Sequence, residues 1–174
     1  MTRAQLEHLI RAAADIADDD DIVVIGSQAI LGQYPDAPAS MRVSAEADLY
    51  PLHHPERADL IDGTIGELSP FHETYGYYGQ GVSETTGFLP PGWKDRLIVV
   101  QNENTRQARG LCLEVHDLLA AKAVAGREKD IDFLSEAAKH GLAQKDELLS
   151  RLSLLNTGPP VIDRAQALVR RLFP

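Results

Sequence analysis

The sequence predicts an α/β (α+β) chain: a sheet flanked by helices, with a helical C-terminal extension. Three observations carry that reading. Residues 22–25 form a short apolar run without polar alternation, as in a buried strand. Residues 43–50 alternate instead, with Val43, Ala45, Ala47 and Leu49 on one face and Ser44, Glu46, Asp48 and Tyr50 on the other. From Asp117 onward the apolar spacing is helical to the end of the sequence.

Each element follows in order. Apolar residues Leu6, Leu9, Ile10, Ala13 and Ile16 predict an amphipathic helix over 2–17, with Thr2 as N-cap. The acidic run Asp18–Asp21 ends it and reads as a solvated loop, with a divalent-cation site as the alternative. After the strand at 22–25 and the Gly26-Ser27 turn, a helix is expected over 27–31. A loop marked by Pro35 and Pro38 follows, then the alternating strand and a helix over 56–65. Residues 62–92 are rich in glycine and aromatic side chains, which predicts short strands or hairpins around Gly76, Gly79 and Gly81. Strands are expected at 96–100 and 110–115. Helices are expected over 117–125, 128–140, 145–155 and 161–172, the last pair separated by Pro159 and Pro160. This divides the chain into a core, 1–115, and a helical part, 116–174, packed on it within one structural domain.

Composition narrows the function classes. The chain has 174 residues, 44% hydrophobic and 25% charged, an ordinary balance for a globular protein. Cys112 is the sole cysteine, which excludes an internal disulfide and a cysteine-cluster zinc site and fits a reducing cytoplasm. Arg3 and Arg11 precede no long apolar segment, so no signal peptide is expected. No apolar run approaches the roughly 20 residues of a membrane span, so no membrane partner is expected either. A formal net charge of −9 argues against a general nucleic-acid coat protein, yet permits a local basic groove.

Three constellations can carry chemistry. In the first, Glu46 and Asp48 stand two apart on one strand face, so two carboxylates aim at one point. A hard divalent cation is a common reason to accept their repulsion. The Gly26-Ser27 turn before a helix offers backbone N–H groups that suit a phosphate. The plainer alternative is a strand–turn–helix followed by an exposed strand face. In the second, Lys122, Arg127, Lys129 and Asp130 surround a helix break at Gly126. Lys122 can bind a phosphate, or these residues form a charged helix surface with weak local pairs. Lys122 lies four residues beyond Leu118, whose burial would turn the lysine towards the Gly26-Ser27 turn. In the third, Phe71, Tyr75, Tyr77 and Tyr78 either stack on a base or pack under a loop. No HExxH pattern, Walker A loop, Gly-x-Gly-x-x-Gly or Gly-x-Ser-x-Gly elbow is present.

Together these pieces resemble a known family. An apolar strand, Gly26-Ser27, a helix, Arg42-x-Ser44-x-Glu46-x-Asp48-Leu49 and finally Lys122 with Arg127-x-Lys129-Asp130 are similar to the minimal nucleotidyltransferases of the DNA polymerase beta superfamily. The resemblance is in particular to the AbiEii-like group of toxin–antitoxin and phage-defence systems. The segments Ser69-Pro70-Phe71-His72, Gly76-Tyr77-Tyr78, Gly81-Val82 and Leu89 to Leu97 also resemble uncharacterised nucleotidyltransferase-like proteins.

The resemblance implies a nucleotidyltransferase-type mixed sheet with flanking helices. It implies a nucleoside triphosphate on Gly26, Ser27, Arg42, Lys122, Arg127 and Lys129. It implies Mg2+ (or Mn2+) on Glu46 and Asp48, with Asp130 as an accessory acid. The superfamily's third strand carboxylate would be Glu114, on the last strand-like run. Implied partners are an RNA (tRNA-like) or protein acceptor and a cognate toxin or antitoxin. One departure stands out: the family pattern has Asp-x-Asp where this chain has Glu46-x-Asp48. Either Glu46 is a working ligand, or the chain is a catalytically impaired relative that binds a nucleotide or a partner.

Overall fold

The computed structural model of the chain describes residues 1–174. They form two compact units, one of residues 1–86 and 97–113, the other of residues 87–96 and 114–174.

The first unit is built on a five-stranded mixed sheet. Helix α1, Arg3–Ala17, opens it, and its N-terminus is closed by a capping box between Thr2 and Gln5. Its apolar stripe, Leu6, Leu9, Ile10, Ala13 and Ala17, is fully buried; each large side chain there contributes roughly 1.5–3 kcal/mol. Glu7 is buried too, and its carboxylate accepts from Arg3, Asn102 and Asn104 at 2.8–2.9 Å. Strand β1, Asp21–Ile25, is buried along its whole length. A 3-10 turn at Ser27–Ala29 leads into α2, Ile30–Gln33. Strand β2, Glu46–Pro51, runs antiparallel to β1. Helices α3, Ala58–Ile65, and α4, Pro70–Tyr75, then carry the chain across to β3, Tyr78–Gly81. Strands β4, Ile98–Val100, and β5, Arg109–Cys112, complete the sheet in the order β3-β2-β1-β5-β4. The β2–β3 and β1–β5 pairs are parallel, and β4–β5 is antiparallel. Helix α1 packs so closely on one face that a Cβ at Gly110 would collide with Ile10.

The second unit is helical: α5, Val115–Ala125; α6, Glu128–Lys139; α7, Lys145–Ser153; and α8, Pro159–Leu172. Helix α5 touches the other three. Its Val115, Leu118, Leu119, Ala120, Ala123 and Val124 are all buried. Arg96 ties the preceding 3-10 turn, Trp93–Arg96, to α5 through a two-pronged bond to the fully buried Asp117, at 2.8 and 3.0 Å. No helix is long and apolar enough to cross a membrane.

Several expectations shift. The alternating strand starts at Glu46, not Val43, which is 82% exposed. Ser44 Oγ exchanges hydrogen bonds with the backbone of Glu46, and the Met1 amine binds the carbonyls of Arg42 and Ser44. These local bonds compete with a ladder. No hairpin forms at Gly76–Gly81. Ser69 caps α4 with Pro70 at its first position, and the chain returns as one strand parallel to β2. The strand expected at 110–115 stops at Cys112, and the one at 96–100 begins at Ile98. Pro159 and Pro160 do not precede the last helix but open it. The acidic run is only half a solvated loop. Asp19 accepts the backbone N–H groups of Asp21, His53 and His54, and Asp21 is bound by Arg109 and His53, so both are buried. Phe71, Tyr75 and Tyr77 surround His8 of α1 with ring centroids 4.8–6.0 Å away, the packing alternative for the aromatic segment.

Candidate functional site

The local fold at the end of β1 begins with a register. Ile25, the last residue of β1, pairs with Asp48 of β2, and the chain then turns at Gly26. Gly26 has φ 69° and ψ −172°, a region open to glycine alone. The space is as restrictive as the backbone: a Cβ at Gly26 would collide with the Asp48 carboxylate. The Gly26 carbonyl accepts the Ala29 N–H at 3.2 Å, which makes the turn tight. Ser27 stays half-exposed, whereas Gln28 is 1% exposed and neither its amide oxygen nor its nitrogen has a hydrogen-bond partner. Such orphaned groups are rare in folded proteins.

Glu46 and Asp48 lie on the same face of β2 and are both half-buried, while Ala47 and Leu49 are buried on the other face. Tyr50 follows on the carboxylate face; its hydroxyl is buried without a partner, and burial together with Glu84 pushes its pKa up. The Glu46 carboxylate is not loose. Tyr78 of β3 donates its hydroxyl to Glu46 Oε2 at 3.3 Å. Burial, then the charges of Glu46 and Glu67, pushes the Tyr78 phenol up to about 12, so it remains a donor. Arg42 is half-buried, with its Nε unpartnered. The donor set suits a small hard cation. Mg2+ uses one or two carboxylates and completes its shell with water and phosphate oxygens, and the Asp48 carboxylate already occupies the space beside the turn.

In the helical unit, Lys122 and Asp130 form an ion pair at 3.1 Å. The Lys122 side chain is 11% exposed, and its Nζ also lies 4.5 Å from the centroid of the Phe133 ring. Burial lowers the Lys122 pKa despite the neighbouring carboxylate. Asp130 is fully buried and accepts a second cation, Arg127 Nε, at 2.6 Å. Burial alone would raise its pKa, but the bonds from Arg127 and the charge of Lys122 outweigh it and hold the carboxyl low. Lys129 is exposed.

Glu114 is not a strand residue. It is the N-cap of α5, and its carboxylate accepts the His116 N–H at 3.0 Å and pairs with His116 Nδ1 at 2.7 Å. A carboxylate just before a helix is drawn to the unpaired N–H groups of the first turn. No group of three or more His, Cys, Asp or Glu side chains is arranged to hold a metal ion. The structure thus brings Gly26, Ser27, Glu46 and Asp48 together. It adds Tyr78, whose contact with Glu46 depends on a strand pairing that no local pattern announces.

Comparison with curated proteins and with solved structures finds no match. Residues 4–152 match the sequence model of a family described as "Nucleotidyltransferase of unknown function (DUF6036)". Since that match spans most of the chain and includes the turn, the acid pair and the Lys122–Asp130 pair, the chain belongs to this nucleotidyltransferase family.

Proposed function

We propose that the protein is a metal-dependent enzyme that transfers a nucleoside monophosphate from a nucleoside triphosphate to a hydroxyl of an RNA (tRNA-like) or protein acceptor, breaking the bond between the α- and β-phosphates and releasing pyrophosphate. The observation that carries this reading is the placement of the Asp48 carboxylate against Gly26, with Glu46 on the same strand face. Gly26 and Ser27 hold phosphate oxygens with backbone N–H groups and the serine hydroxyl. Glu46 and Asp48 hold Mg2+ (or Mn2+), which supplies charge neutralisation at the phosphates and lowers the pKa of an attacking hydroxyl. Arg42, Arg127 and Lys129 are the further nucleotide-binding cations. Lys122 binds phosphate as a point charge, and Asp130 fixes its position. The pattern shared with AbiEii-like proteins supports a role in a toxin–antitoxin or phage-defence pair.

A second reading has its own observation. No third carboxylate joins Glu46 and Asp48, which favours a catalytically impaired protein that binds a nucleotide or a partner. The two readings separate when the protein is incubated with labelled nucleoside triphosphates, Mg2+ or Mn2+, and total RNA or cell protein. Label transfer that disappears in Asp48→Ala supports the enzyme. A wild-type protein that binds triphosphate but labels no acceptor with either metal leaves the binding module.

A further inference from the structure

Resting on the reading of Glu46 and Asp48 as a cation site, we propose that Tyr78 is a positioning residue that makes Glu46 a one-oxygen ligand. Parallel pairing places Glu46 beside Tyr78 on adjacent strands, on the same sheet face. The hydroxyl reaches Oε2 at 3.3 Å. The phenol ring also has a neighbour. The His72 ring packs on it at 4.6 Å, and His72 Nδ1 accepts the Leu68 N–H at 3.1 Å, which fixes that imidazole.

Two consequences follow from this geometry. A glutamate has one more rotatable bond than an aspartate, and a fixed donor on one oxygen restricts that extra freedom. With Oε2 taken, Oε1 is left to face a cation singly. Mg2+ demands single oxygens in near-octahedral geometry, whereas Ca2+ accepts both oxygens of one carboxylate. Tyr78 therefore biases the pair towards Mg2+. The contact also accounts for glutamate at this position. Shortening the side chain by one methylene would retract the carboxylate by roughly 1 Å, beyond the ~3.5 Å limit of a hydrogen bond to this hydroxyl. Glu46 and Tyr78 are a matched pair.

The test uses the full chain as wild type, Tyr78→Phe, Glu46→Asp, the double variant, and Asp48→Ala. Mn2+ binding is followed by electron paramagnetic resonance with a non-hydrolysable triphosphate analogue present, and Mg2+ and Ca2+ then compete it off. Phenylalanine keeps the ring against His72, and thermal melts confirm that each variant folds. Tyr78→Phe is expected to weaken Mg2+ roughly three- to tenfold while changing Ca2+ little, and to do nothing further in the Glu46→Asp background. An unchanged Mg2+-to-Ca2+ ratio in Tyr78→Phe, or an equal effect in both backgrounds, would overturn the proposal while leaving the cation site standing. If wild type and Asp48→Ala bind Mn2+ alike, the cation site itself fails, and this inference with it.

Discussion

Lys122 Nζ donates to Asp130 Oδ1 at 3.1 Å, and the carboxylate that receives it has no solvent exposure. The lysine is thus part of a buried ion pair and not a bare surface charge. Removing one member of such a pair strands the other, at a typical cost of about 3–5 kcal/mol. Asp130→Ala is expected to lose stability on that scale in urea unfolding. Lys122→Met should cost less, because Arg127 still neutralises Asp130. Its distinguishing effect should be weaker triphosphate binding by calorimetry; unchanged affinity would leave Lys122 a purely structural cation.

Gly26→Ala tests the turn. The substitution forces a side chain into a backbone region that costs of order 1–3 kcal/mol and into the space of the Asp48 carboxylate. Displacing that carboxylate should reduce nucleotide and Mn2+ binding far more than it lowers the melting temperature. Retained Mn2+ affinity would show that the contact between Gly26 and Asp48 has no part in binding.

Glu46→Ala and Asp48→Asn should each abolish label transfer, and chelation with EDTA should do the same until Mg2+ is restored. Glu46→Asp keeps the charge but draws it back from Tyr78, so a slower rate or altered metal preference is expected rather than loss. Full activity in Glu46→Ala would remove that residue from the site.

Glu114 gives a control. As a helix N-cap it should contribute about 1 kcal/mol to stability, lost in Glu114→Ala. Mn2+ affinity should not move in that variant. A fall in metal affinity would instead support Glu114 as the third ligand.

Acid stability should depend on Asp21. The hydrogen bonds from Arg109, and then from His53, hold its carboxyl below the ordinary range, against the opposing effect of burial. A carboxylate with a depressed pKa in the folded state adds stability that is fully present above its unfolded pKa of about 4. That contribution is lost as pH falls through the depressed folded value. Denaturation midpoints measured from pH 6 downward should therefore fall more steeply below pH ~4 in wild type than in Asp21→Asn.

Much of this protein was legible locally. The alternation of residues 43–50 put Glu46 and Asp48 on one face because side-chain period is an intrinsic property of a strand. The unbroken apolar run 22–25 marked β1, and the helical spacing after Asp117 marked helices α5 to α8. Ser69-Pro70 also carried a local message, a cap followed by a first-turn proline, but the glycines and aromatics around it pointed towards short strands or hairpins, of which one short strand, β3, forms. Glu114 shows how ambiguous a carboxylate between a strand and a helix is. The same residue type serves as a strand-end ligand or as a cap, and only the point where β5 ends decides between them. What tertiary structure alone decided was who meets whom. Asp48 reaches Gly26 because β1 and β2 pair antiparallel with Ile25 opposite Asp48. Tyr78 reaches Glu46 across 32 residues because two helices return the chain parallel to β2 in one register. A shift of that register by one residue would turn Tyr78 to the other face. Periodicity specifies faces, but register is set by the packing of whole elements.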